Sequence, residues 1–220
     1  MAGDIVSSAP TFTESELFAD TPELDFDSWS EHKKSLYRAA IELFYEQGFD
    51  ATGVQQIVAR VDLSKGTLYH YFGSKDAILR VISERFLARL MPGIVAIARE
   101  GVPPAEAIHR VCHLMVNIIS EHREEVVIFF EEWRHMSKEF FARTKAKRDA
   151  VADVMTEIVA EAVESGQFRR IGPDKLVGFT IFGVCSYAQY WYDPEAKMSQ
   201  AELGTMYGNL IVGGLTARPG

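Results

Sequence analysis

From Leu36 onward, apolar side chains return at helical intervals. Leu36, Ala39, Ala40, Leu43 and Phe44 fall at i, i+3, i+4, i+7 and i+8, with Lys33, Lys34, Arg38, Glu42 and Glu46 elsewhere, so the spacing predicts an amphipathic helix with one buried face. Ser28, with Glu31 three residues on, offers its start, and Gly48 followed by Phe49 offers a left-handed stop with an apolar residue behind it. Thr52 and Gln55 form a T-x-x-Q capping box for a short helix from about Gly53 to Val61. Only a tight turn fits between that helix and Ser64, whose hydroxyl can cap the next helix by accepting from the N–H of Gly66 or Thr67. The result is a helix-turn-helix. In its second helix Leu68 and Phe72 share the core side, Gly66, Thr67 and His70 point the other way, and Lys65, Tyr69 and Tyr71 flank them.

The pattern stays helical to the end of the chain. Gly73 and Ser74 close one helix and cap another, which starts at Lys75 and carries Ile78, Leu79, Ile82, Phe86 and Leu90. Met91–Gly93 predicts a kink and Gly101–Pro104 a break. Helices follow from about Ala105 to Ser120, through REEVVIFFEEWRHM, and from about Ser137 to Ser165, where Gly166 stops the last. The run LVGFTIFGVCSYAQYWY is apolar on nearly every face and predicts a buried helix. The final helix carries Leu203, Met206, Tyr207, Leu210, Ile211 and Leu215 as a stripe. Two neighbouring helices this apolar predict a four-helix bundle shared with a second copy of the chain; an intramolecular core is the alternative. The expected fold is all-α, with a three-helix helix-turn-helix domain over 28–75 and a helical domain over 76–220.

Charge changes the picture only when it is divided along the chain. The net charge of −8 argues against a nucleic-acid binder, yet Asp4, Glu14, Glu16, Asp20, Glu23, Asp25 and Asp27 lie in the first thirty residues with no Lys or Arg. Residues 31–80 hold Lys33, Lys34, Arg38, Arg60, Lys65, Lys75 and Arg80 against six acidic side chains, a slightly basic balance. Residues 1–27 therefore read as an acidic, mobile arm, either a solvated tail or a cover for a basic face. No run reaches the roughly 18–20 apolar residues of a membrane span, and the start lacks the pattern of a signal peptide, so a cytoplasmic location is expected. Cys112 and Cys185 lie in apolar segments and read as reduced core residues. The chain has no G-x-S-x-G elbow, G-x-G-x-x-G loop, P-loop or H-E-x-x-H, so no catalytic residues are assigned and no enzyme is expected.

Residues 31–80 resemble the DNA-binding domain of TetR-type transcriptional repressors, and LSKGTLYHYFGSKDAIL is close to that family's most recognisable string. One departure is Val61-Asp62-Leu63 in the turn, where the family usually has Ala-Gly-Val; Asp tolerates a positive φ better than most residues. The resemblance implies a homodimer on double-stranded, palindromic operator DNA. Gly66 would let the backbone approach base edges, Lys65 would reach a guanine, and Thr67 and His70 would meet bases or phosphates. Tyr69, Tyr71, Thr52 and Ser64 would hydrogen-bond phosphates, with Lys75 adding charge at a helix N-terminus; for Tyr71, plain packing on the neighbouring helix is equally open.

The same resemblance implies a small-molecule effector in the C-terminal domain and no bound cofactor. Phe129, Phe130, Trp133, Arg134, Phe141, Phe182, Tyr187 and Tyr190 are the expected ligand contacts, with Phe140, Phe179 and Trp191 as further wall residues. FFEEWRHMSKEFF and WYDPE are similar to TetR-type regulators of fatty-acid or sterol breakdown that sense acyl-CoA thioesters, whose phosphates Arg143, Lys145, Lys147 and Arg148 would meet. A hydrophobic drug-like effector is the alternative. A metal ion is a further one, because His109 and His113 are four apart on one helix with Cys112 and Glu106 nearby.

Overall fold

The computed structural model describes residues 24–195 and 197–216. A 3-10 turn, Phe26–Ser28, leads into α1 (Glu31–Gln47), α2 (Val54–Arg60) and α3 (Lys65–Phe72). These are followed by α4 (Lys75–Arg99), α5 (Pro104–Glu131), a second 3-10 turn (Glu132–His135) and α6 (Lys138–Glu164). The last three helices are α7 (Asp174–Ser186), α8 (Ala188–Trp191) and α9 (Gln200–Leu215). Among the described residues the sole β pairing is a bridge between Phe168 and Thr216, which ties the end of α9 to the loop after α6.

Several helix ends follow the chain's own punctuation. Gly48 stops α1 at φ 85°, and Phe49 behind it is buried against Phe44 with ring centroids 5.1 Å apart. Ser64 and Ser74 cap α3 and α4 by accepting from Thr67 N and Ala77 N at 3.1 and 3.0 Å. Gly166, at φ 74°, closes α6.

Other boundaries moved. The cap of α1 is Ser30, which accepts from Lys33 N, while Ser28 donates to Asp25 O. Gly53 precedes α2, and its N–H donates to Gln56 Oε1 at 2.7 Å, so the expected Thr52–Gln55 box does not form. α4 runs unbroken through Pro92. α5 merges two expected helices across a kink at His122, whose φ of −136° leaves the helical region. Residues 24–27, expected to belong to a mobile arm, pack instead: Phe26 lies 5.3 Å from the Trp29 ring and 5.9 Å from Tyr37. The rest of that arm, 1–23, lies outside the described residues.

Two apolar cores result, and α4 is common to both. Leu36, Phe44, Ile57, Leu68 and Phe72 close the first, together with Ile78, Leu79 and Ile82 from α4 and Ile128 from α5. Phe86, Leu90, Met91 and Ile94 from the same helix join α5, α6, α7 and α9 in the second. The expected division at residue 75 therefore cuts a helix whose first turns belong to the N-terminal core. Between the cores, Arg89 on α4 pairs with Glu125 on α5, and the Tyr37 phenol beside them is held protonated well above its ordinary range, first by burial and then by Glu125.

The expected all-round burial of the penultimate helix is not found within one chain. Val177, Gly178, Ile181 and Cys185 on α7 face inward, but Leu176 and Phe179 are exposed, as are Tyr187, Tyr190 and Trp191 after it. The stripe on α9 also splits: Leu203, Tyr207 and Leu215 are buried, while Met206 and Leu210 face outward.

Candidate nucleic-acid interface and ligand cavity

α3 is held to its domain by Leu68 and Phe72, which are 0% and 9% exposed. The tight turn before it places Asp62 at φ 52°, a left-handed residue that is not glycine. This leaves Lys65, Gly66, Tyr69 and His70 exposed on the outer side of α3, with Thr67 and Tyr71 half-buried. Lys65 forms no ion pair among the described residues, whereas Arg60 is held by Glu42 and Glu46 at 3.2 Å each. Ser64 and Thr67 hydroxyls lie 2.9 Å apart, so the cap and the first turn of α3 share one hydrogen-bonded group. The Tyr71 ring packs against the N-terminal core and lies 5.0 Å from the His70 ring.

Two expected phosphate contacts are turned inward. Thr52 is 1% exposed; its hydroxyl faces Gly48 O at 2.8 Å and Leu43 O at 3.2 Å, and it accepts from Gln47 Nε2 at 3.1 Å. That hydroxyl staples the α1–α2 loop. Lys75 Nζ donates to Phe49 O at 2.7 Å and Thr52 O at 2.8 Å, and sits 3.9 Å from the centroid of the Phe49 ring. Two of its three N–H donors are therefore spent on carbonyls of the α1–α2 loop, one of which, Phe49 O, also accepts from Thr52 N at 3.2 Å.

The second core encloses a cavity of about 490 Å³. Its walls are Phe86, Leu87, Leu90 and Met91 from α4, Met115 and Phe129 from α5, Phe141 from α6, and Phe179 and Phe182 from α7, with Phe130 between them. Lys145 and Arg148 add cationic heads; Lys145 donates to Asp149 at 2.6 Å, whereas Arg148 has no ion-pair partner among the described residues. A second chamber of about 320 Å³ adjoins it, sharing Phe129, Phe130, Phe141, Lys145 and Arg148 and adding Trp133, Met136 and Thr144. The Trp133 ring is half-exposed and stands 5.5 Å from Phe141.

The structure thus gathers Phe129, Phe130, Phe141, Phe179 and Phe182 around the cavity and Trp133 at its extension, but not Arg134, Tyr187 or Tyr190. Arg134 points to solvent, and Tyr187 and Tyr190 pack on each other 5.4 Å apart on the outer surface. Phe140 is buried away from it, and Trp191 is exposed. Of the four basic residues expected to meet the phosphates, Arg143 and Lys147 do not line it; burial lowers the Lys147 pKa, with Glu84 opposing and Arg143 adding to the shift. Phe86, Leu87, Leu90, Met91 and Met115 went unassigned, since an apolar stripe reads the same whether it meets a packed core or a void.

His109 and His113 pack against α9. Their rings fill the notches left by Gly208 and Gly204 on α9: a Cβ on Gly208 would stand 2.0 Å from His109 Nδ1, and one on Gly204 2.6 Å from His113 Nδ1. Cys112 faces Cys185 with sulfurs 3.7 Å apart, and Glu106 is engaged by Arg110. Among the described residues no three His, Cys, Asp or Glu side chains converge as a metal site would require, and no helix is long and apolar enough to cross a membrane.

Comparison with known proteins agrees with this geometry. The family described as bacterial regulatory proteins, tetR family, matches residues 36–82, and the tetracyclin repressor-like C-terminal domain matches 101–215. The transcriptional repressor KstR2 of Mycolicibacterium smegmatis is 26% identical over 191 residues, covering 86% of this chain and 92% of its own. The crystal structure of the TetR family regulator PfmR from Thermus thermophilus superposes with a TM-score of 0.75 at 30% identity, over 83% of this chain and 99% of that one. AibR, crystallised with isovaleryl coenzyme A and operator DNA, shares the fold at 18% identity and a TM-score of 0.72, over 82% of this chain and 97% of that one. With a helix-turn-helix whose reading helix is α3 and a helical domain built around a cavity, the chain belongs to the TetR family of DNA-binding transcriptional regulators.

Proposed function

We propose that the protein is a repressor that binds a palindromic operator as a homodimer and leaves it when an acyl thioester of coenzyme A enters the cavity. The exposed side of α3 supports the DNA contacts: Lys65, Gly66, Thr67 and His70 meet base edges, and Ser64, Tyr69 and Tyr71 meet phosphates. Exposed Leu176 and Phe179 on α7 and Met206 and Leu210 on α9 support pairing with a second copy, since two neighbouring helices otherwise leave apolar surface in water.

One observation carries the effector: an apolar cavity of about 490 Å³ adjoins a chamber where Lys145, Arg148 and Trp133 meet. Such a site suits a molecule with an apolar body and an anionic head. The fold shared with AibR, crystallised with isovaleryl coenzyme A, supports the same class. Thermal-shift titration with thioesters of several acyl lengths tests it. Stabilisation by thioesters, weakened by Arg148→Ala, is expected; stabilisation by uncharged hydrophobes alone overturns it.

A further inference from the structure

One junction between the two domains is made by side chains that touch neither the cavity nor the exposed side of α3. Glu132 Oε1 accepts from the backbone N–H of Phe49 at 3.0 Å, across 83 positions of sequence. Its other oxygen lies 3.3 Å from His135 Nε2, and His135 Nδ1 lies 3.2 Å from Asp50 Oδ1. The His135 ring stands 5.4 Å from the Phe49 ring, on which the Lys75 ammonium also rests. The turn Glu132–His135 thus grips the α1–α2 loop, and Lys75 passes that grip to the first turn of α4, next to the reading helix. On its other side the turn continues directly from Phe129 and Phe130 and contains Trp133, all cavity wall residues.

The chemistry of the ring decides when this grip is complete. A neutral imidazole has one N–H and one lone pair, so with a carboxylate oxygen beside each nitrogen only the imidazolium is attracted to both. The charged groups around it are Asp50 from the α1–α2 loop, Glu132 from its own turn and Lys75 beyond the Phe49 ring. Glu132 has a largely buried side chain and Asp50 an exposed one, so the Glu132 contacts are the stronger part.

We propose that Glu132, His135 and Asp50 form a proton-sensitive latch between the ligand-binding and DNA-binding domains, closed while His135 is protonated and loosened when it loses its proton. Protons would then be an input to DNA affinity independent of any cavity ligand. The test needs no effector. In the full chain, protection of the Phe49 amide against hydrogen exchange, corrected for its intrinsic rate, is expected to fall about three- to ten-fold as pH rises through the imidazole range, roughly pH 5 to 8. Glu132→Gln is expected to lower it at every pH, whereas His135→Gln removes the pH dependence and Asp50→Asn, at an exposed position, shrinks it. On an operator selected from random DNA, the ratio of wild-type to His135→Gln affinity should change by several-fold over the same range; His70, common to both proteins, cancels in that ratio. Phe49 protection that does not depend on pH in the wild type, or an affinity ratio that stays constant, overturns the proposal.

Discussion

Lys75 stands at the position where a phosphate contact was expected, and its replacement by alanine separates the two roles. In the structure its ammonium donates 2.7 and 2.8 Å bonds to the carbonyls of Phe49 and Thr52 and rests on the Phe49 ring. Each hydrogen bond to a charged group contributes about 1.5–3 kcal/mol and the ring contact about 0.5–2 kcal/mol. Against this, ordering the lysine chain costs up to about 2 kcal/mol, and the two half-buried carbonyls regain some water in the variant. Because one ammonium makes all three contacts their contributions do not add in full, and the net loss for Lys75→Ala is taken at the low end, about 2–3 kcal/mol. For a chain of this length each kcal/mol moves Tm by about 2–4 °C, so the midpoint falls roughly 4–12 °C. If the ammonium serves the loop and makes no phosphate contact, it releases no counterion from DNA. The slope of log affinity against log salt should therefore stay unchanged, whereas loss of a phosphate contact reduces it by about 0.9. Scanning calorimetry and fluorescence anisotropy over a salt series measure both quantities. Lys65→Ala serves as the comparison: it should leave Tm in place and alter base preference or salt slope. A Lys75→Ala protein that melts like the parent but loses about one unit of salt slope would refute the assignment.

Three further substitutions probe single features. Thr52→Val keeps the volume but removes the buried hydroxyl that faces Gly48 O, and should cost about 1–2 kcal/mol in urea denaturation with an unchanged salt slope. Asp62→Val, at φ 52°, should cost about 1–2 kcal/mol, while Asp62→Gly should cost nothing by the same measurement. Gly208→Ala drives a methyl group into His109 and should destabilise by about 1–3 kcal/mol; a double-mutant cycle with His109→Ala should recover most of the loss, and additive effects would show that the ring does not fill the notch.

The helix-turn-helix was legible because its determinants are local. Ser64, Ser74, Gly48 and Gly166 act on backbone groups within a few residues, and Leu68 with Phe72 falls on one face by helical geometry alone. The misplaced caps had weak local signals: Ser30 has Lys33 three residues on where a capping box has Glu or Gln, and Gly53 has no side chain to cap with, while Trp29 and the Thr52 hydroxyl are buried beside them. Pro92 predicts a kink by its missing N–H, yet α4 passes it unbroken.

By itself the sequence determined the helical class and the helix after the turn with its buried and exposed sides, because periodicity and caps are properties of neighbouring residues. Tertiary structure alone decided which polar groups are spent on the protein itself. Lys75 and Thr52 were drawn inward by carbonyls from other segments, His109 and His113 into the notches of a helix far along the chain. It also decided that five expected aromatics line a void while Tyr187 and Tyr190 do not, and that Glu132 reaches Phe49 across 83 positions. A side chain's partners over such separations depend on how whole helices pack, and no local pattern encodes that.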